Sequence, residues 1–222
     1  MADYESIRIF ARSIVKKNDI DFIKKTKKFL RKEKKPPLLI FFLSKISALY
    51  NRPYVFLEHK KFSENEYSAA SDICAMSPYK EKIINLMKCN SLNVVKTITV
   101  KVILEDKRSF MLLIFGTSDF RLNAKNKTKI SNLFSSNKNK MRFYINPDDF
   151  DSVDNLGLSR GYVGPLVYSF KKIDKVIYLK EDADAVHFRV TPFHSIVISV
   201  EIFDVVVYEF LKCNKMDYVV IR

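Results

Sequence analysis

"NVVKTITVKVILEDKRSFMLLIF", Asn93 to Phe115, is the stretch on which the fold turns. Both ends are rich in β-branched and aromatic residues, and a charged trio, Glu105-Asp106-Lys107, separates them. That pattern predicts a strand over Asn93–Leu104, a turn, and a second strand over Arg108–Phe115. Upstream the texture is helical. A short helix is expected from about Asp3 to Lys16, a second from Asp19 to Glu33, and a third from Leu38 to Tyr50. Then "RPYVFLEH" reads as a strand reaching His59. "SENEYSAASDICAM" reads as a helix with Ser63 and Glu66 in capping-box spacing, and a further helix spans about Tyr79 to Lys88. Downstream, "NAKNKTKISNLFSS" is expected to be helical, "MRFYI" a short strand and "PDDFDSVD" a short helix. "DKVIYLKED", "AVHFRV" and "SIVISV" follow as strands, "EIFDVVVYEFL" as a last helix and "MDYVVI" as a closing strand. Helices and strands alternate without βαβ regularity. The expected class is α+β, with a mixed, partly antiparallel sheet and surrounding helices.

Composition bounds the function. The chain has 222 residues, 47% of them hydrophobic, with 18 Phe and 11 Tyr, enough for a sizeable core. The longest clean apolar run, Leu38 to Leu43, is far shorter than the roughly 20 residues of a membrane span, so no membrane partner is expected. The first residues lack the apolar centre of a secretory signal. Cys74, Cys89 and Cys213 are widely spaced, and with His59, His187 and His194 they make no zinc signature. Buried free thiols in a reducing cytoplasm are expected, with neither metal nor cofactor. The formal charge of +14 points to a polyanionic partner. Part of the lysine excess accompanies a general richness in Asn, Ile and Phe, as A+T-rich coding would produce.

The basic charge is concentrated. From Lys16 to Lys35 there are ten Lys or Arg against three acids, and Ile20, Phe22, Ile23, Phe29 and Leu30 recur at near-helical spacing. Two readings stand side by side. The segment is either a docked helix with a solvated lysine face, or an arm that meets phosphates through Lys24, Lys27, Lys28 and Arg31. With Pro36-Pro37 as its boundary, the chain divides into a basic helical extension, 1–35, and a main domain, 36–222.

No phosphate-loop, dinucleotide, nucleophile-elbow or metalloprotease motif occurs. Three of the four glycines fall in "NLGLSRGYVGPLV": Gly157, Gly161 and Gly164, closed by Pro165. Such a segment is either a tight turn that needs special dihedrals or a rigid loop presenting main-chain groups to a ligand. The acid pairs Asp148-Asp149 and Glu181-Asp182 read as solvated turns.

Lys96-Thr97, "FGTSDFRLNAK" (Phe115–Lys125) and "GYVGPLV" stand in the order and approximate spacing of the YbaK/ProX-type aminoacyl-tRNA editing domains, which also occur within or beside prolyl-tRNA synthetases. Together with "LLIFFLSKISALYNRPYVFLEHKKFSENEYSAA", which is similar to that family's opening helix, strand and histidine, the resemblance covers about Pro36 to Arg222. It implies a YbaK-like fold and a cytoplasmic hydrolase that removes alanine or cysteine from mischarged proline tRNA. A prolyl-tRNA synthetase core, in cis or in trans, would be a further partner. By the same resemblance Lys96 matches the pocket lysine that anchors the tRNA 3′ end, and Gly161 and Pro165 match the ends of the Gly-x-x-x-Pro loop. Phe115, Gly116, Tyr162, Gly164, Pro192, Phe193, His194 and Ser195 would line the amino-acid pocket. For Lys96 the other reading is a surface lysine at a strand edge, and for His194 a structural histidine.

The chain departs from the family at three places. Cys74 to Asn93 is longer than usual. An acid that often ends a V-I-D stretch is missing from "VIYLKED". A Gly-rich or His-Pro segment is replaced by "VTPFHSIVIS". These departures keep open a tRNA-binding module without catalysis, appended to a synthetase, and a plain basic RNA-binding protein.

Overall fold

The computed structural model describes residues 8–12, 43, 46–47, 50–58, 79–117, 122–136, 140–150, 152–156, 170–180, 182–191 and 194–221. Along them run β1 (Arg8–Arg12), β2 (Tyr54–Glu58), α1 (Tyr79–Met87), β3 (Leu92–Ile103), β4 (Ser109–Thr117), α2 (Ala124–Leu133) and β5 (Arg142–Ile145). These are followed by α3 (Ser152–Leu156), β6 (Lys175–Leu179), β7 (Ala185–Thr191), β8 (His194–Ser199), α4 (Val200–Cys213) and β9 (Tyr218–Ile221). The α+β class and the mixed sheet expected from the sequence are observed. The expected helix from Asp19 to Glu33, the boundary at residue 35 and the helix over "SENEYSAASDICAM" lie outside the described residues.

The chain divides into two compact units. One comprises Met1–Val94 and Asp182–Tyr208. Its strands run β1-β2-β8-β7, each neighbour antiparallel, and the first residues of β3, Leu92 to Val94, pair parallel with β7. Ile83 and Met87, one helical turn apart on α1, pack with Val55, Leu57, Leu92, Ala185 and Val197 in its core. A carboxylate clasp fastens this unit's corner. Asp184 Oδ2 accepts from the backbone N–H groups of Asn90 (2.8 Å) and Ser91 (3.0 Å), and the Asp184 N–H donates to Ser91 Oγ at 2.8 Å. The Asp184 carbonyl also accepts from the N–H of Val200, the first residue of α4. The two amide donors hold the Asp184 carboxyl below the usual carboxylate range.

The other unit comprises Val95–Glu181 and Glu209–Arg222. Here β3 pairs antiparallel with β4 and, over its last four residues, with β5; β6 and then β9 extend the sheet in parallel from β4. Val100, Val102, Leu112, Ile114 and Ile177 are wholly buried on one face, where Ile130 of α2 seals them. The helix begins where the Asn123 side chain accepts from the Asn126 N–H at 2.9 Å, satisfying a donor the helix itself leaves open.

The turn between β3 and β4 is the charged trio. Lys107 takes φ 68°, and Leu104 bonds its backbone to Arg108 at 2.8 Å and to Lys107 at 3.1 Å. A three-residue loop closing on a left-handed residue is a common hairpin connection. Asp106 supports it by accepting from the Arg108 N–H at 3.0 Å and from Arg108 Nε at 2.6 Å. At the far end of β5, Asn146 takes φ 46°, donates its N–H to the Thr99 carbonyl at 2.7 Å and accepts from the Thr99 N–H at 3.3 Å.

Two expectations are corrected. The helix expected over about Asp3 to Lys16 is not what residues 8–12 form: they are strand β1, antiparallel to β2 with Arg8 opposite Glu58 and Arg12 opposite Tyr54. Ile9 and Phe10 suit a strand as well as a helix, and the open edge of β2 decides between them by supplying backbone partners. The short helix expected from Pro147 starts later, at Ser152. The left-handed Asn146 and the proline after it make a turn instead, closed by the Phe150 N–H on the Pro147 carbonyl at 3.1 Å. The remaining expected elements whose ends fall on described residues form within about three residues of them, and Leu43, Ile46 and Ser47 of the expected third helix are helical.

Candidate functional site

The turn fixes the register of the hairpin, and the register builds the site. With Ile103 opposite Ser109, Lys96 falls opposite Gly116 and Thr97 opposite Phe115. Strand alternation puts Lys96 on the same face as Ile98, Val100 and Val102. Val100 and Val102 are wholly buried and Ile98 packs against that core, whereas Lys96, next along, is exposed. It therefore stands at the rim of an apolar face. Its cross-strand neighbour, Gly116, has no side chain.

Phe115 and Thr97 point to the opposite face. Phe115 is fully buried, and its ring stacks on Tyr178, its neighbour in β6, with centroids 4.6 Å apart and planes 16° from parallel. Thr97 Oγ1 is buried and finds no hydrogen-bond partner among the described residues. Gly116 is buried between β3 and β6.

Of the other expected pocket residues, His194 and Ser195 are among the described residues. They open β8 in the other unit. Ser195 is buried, opposite Leu57 of β2 and Arg189 of β7, while His194 lies opposite Glu58 and Thr191, where the β7–β8 register shifts. Gly161, Tyr162, Gly164, Pro165, Pro192 and Phe193 lie outside the described residues, as do Lys24, Lys27, Lys28 and Arg31. The structure thus brings Lys96, Phe115 and Gly116 together on one hairpin.

Tyr178 was not singled out from the sequence, although it belongs with these residues. The signal for it lay in "VIYLKED", in the place directly after Val176-Ile177. Here that place is taken by an aromatic ring, 4% exposed and stacked in the sheet.

The same unit carries an open groove of about 690 Å³. Lys101 and Ile103 of β3, Phe143, Tyr144 and Ile145 of β5, and the turn Asn146 to Asp149 line it. Lys101 is ion-paired with Asp149, and that hydrogen bond holds the Asp149 carboxyl below its ordinary range. Among the described residues no group of three or more His, Cys, Asp or Glu is arranged to hold a metal ion, and no helix is long and apolar enough to cross a membrane. Cys89 is a free, half-buried thiol whose pKa is raised by burial and then by the neighbouring Asp184 charge.

Chemically, the hairpin offers an exposed cation at the rim of an apolar face, a feature suited to an anionic group. No family model matches the chain, and no curated protein is a match for it.

Proposed function

We propose that this protein is a tRNA-dependent aminoacyl-ester hydrolase of the YbaK-like editing kind, acting on proline tRNA mischarged with alanine or cysteine. The observation that carries the reading is the placement of Lys96 at the exposed rim of the β3 face, directly opposite the side-chain-free Gly116. Three further features support it. The elements from β3 on, with β3 and β4, a helix entered at Asn123 and later strands followed by α4 and β9, are of the kinds that the resemblance implies, while α1 falls in the stretch where the chain departs from it. The charge of +14 suits a polyanionic substrate. An aminoacyl ester is intrinsically labile, so positioning its ends and a water molecule lowers the barrier without a protein nucleophile. In this reading Lys96 holds a phosphate of the tRNA 3′ end, and the glycine loop from Gly161 to Pro165 presents backbone to the aminoacyl group.

The test is release of amino acid from alanyl- and cysteinyl-tRNA for proline. Hydrolysis should occur and fall at least about tenfold in Lys96→Ala, a change at an exposed position that leaves folding intact. Hydrolysis unaffected by Lys96→Ala removes the lysine from the mechanism.

One observation favours a second reading, a tRNA-binding module without catalysis. Tyr178 stands buried where the similar family often has its acid. In that case the protein binds tRNA but releases no amino acid from any mischarged species, and Lys96→Ala weakens binding alone.

A further inference from the structure

β5 is a sheet edge with an unusual distribution of charge. It pairs with β3 on one side, and among the described residues no strand pairs with its other side. Edge strands present a row of unpaired backbone donors and acceptors, and proteins commonly blunt them with bulges, prolines or inward charges. In this strand the second half is open instead and carries large hydrophobic side chains: Tyr144 is 44% exposed and Ile145 50%. The charges sit at the two ends and differ in sign. Lys140 and Arg142 stand at the start, and Asp148 and Asp149 in the turn that ends it, all four exposed.

An edge of this kind is complementary to itself. Turned end for end by a two-fold axis, a second β5 lies antiparallel to the first, with basic start against acidic finish at both ends of the contact. Centred on Tyr144, the ladder sets Phe143 opposite Ile145 of the other copy, so that Lys140 and Arg142 at the start of one strand lie toward the acidic turn that ends the other. A parallel alignment would set like charges together. The existing ion pairs do not hold these groups back. Lys140 meets Glu105 at 3.0 Å on open surface, where such a pair exchanges partners at little cost, and Asp148 is exposed beside the Lys101–Asp149 pair.

We propose that the free edge of β5 is an interface with a second copy of this chain, strand against strand about a two-fold axis. The groove lined by Lys101, Tyr144 and Asp149 runs along it and receives side chains of the partner. The contact is isologous, so a single substitution acts twice and a reciprocal pair of substitutions cures itself.

The experiment is sedimentation velocity on the full chain between about 1 and 300 µM, the range suited to a small interface. A monomer–dimer equilibrium is expected. Arg142→Glu alone and Asp148→Arg alone should each weaken it at least tenfold. An equimolar mixture of the two variants should dimerise to within about threefold of wild type, because each mixed pair restores opposite charges on both sides. Circular dichroism melts of both variants should match wild type, since both positions are exposed. A chain that stays monomeric throughout the range overturns the proposal, as does a dimer indifferent to both substitutions, or a mixture that does not recover. A monomer in which Arg142→Glu weakens binding of an oligouridylate overturns it in favour of a nucleic-acid surface.

Discussion

Truncating Phe115 tests whether the hairpin's buried face is a core or a pocket wall. Its ring is wholly buried and lies 4.6 Å from Tyr178 in a near-parallel stack. Phe115→Ala removes the ring and leaves a void, which costs about 3–5 kcal/mol at a site of this burial. Phe115→Leu keeps most of the apolar volume. It loses the stack, worth about 0.5–1.5 kcal/mol beyond area, and leaves a smaller void, for a total of about 1–2 kcal/mol. With a urea slope near 2 kcal/mol per molar, the leucine variant should unfold roughly 0.5–1 M earlier. A double-mutant cycle with Tyr178→Leu should return a coupling of about 0.5–1.5 kcal/mol, since the two rings touch. The core assignment fails if the coupling is indistinguishable from zero. It fails equally if Phe115→Ala costs less than about 1 kcal/mol, or if deacylation collapses in Phe115→Leu while stability is unchanged. The last result would return Phe115 to the pocket wall.

The clasp at Asp184 makes an acid-range prediction. Because its carboxyl is held below the usual range in the folded chain, the clasp contributes fully above the unfolded value, about 3.9, and is lost as pH falls through the lower folded value. Asp184→Asn should therefore unfold at lower urea than wild type at pH 7, with the two curves converging in acid; a gap that persists undiminished to about pH 2 contradicts the assignment. Asn123→Ala removes the cap of α2 and should cost about 0.5–2 kcal/mol in the same assay, with Asn123→Ser recovering most of it. An alanine variant as stable as wild type would mean that the amide of Asn126 finds another acceptor.

The parts of the fold legible in the sequence are those in which local chemistry and burial agree. β3 and β4 carry β-branched and aromatic residues around a turn-forming trio. On α4, Ile202, Phe203, Val206, Val207 and Leu211 recur at helical spacing and are all buried, which overrides the strand preference of its three consecutive valines. Residues 8–12 were not legible, because their state is decided by an edge that the chain builds forty residues later. The short helix was expected too early, from Pro147 rather than Ser152, because adjacent acids and a proline suit a helix start as well as a turn. At the candidate site, Lys96 was visible as a residue but its relation to Gly116 was not. That relation follows from counting outward from Lys107, once this lysine is known to take the left-handed conformation that glycine or asparagine usually supplies. The pairing of Phe115 with Tyr178 was further out of reach, since parallel strands join through connections that local pattern does not encode.

The division of β3 and α4 between the two units bears on how the chain is made. Neither unit is a contiguous stretch: one is completed only by Asp182–Tyr208 and the other only by Glu209–Arg222. β2 has left the ribosome long before its partner β8 is synthesised; at ordinary elongation speeds the delay from Glu58 to His194 is roughly 7 to 30 seconds. Through that interval β2 has β1 as a partner on one side but lacks β8 on the other. Shielding of nascent β2 over that interval is therefore expected to raise the yield of folded chain.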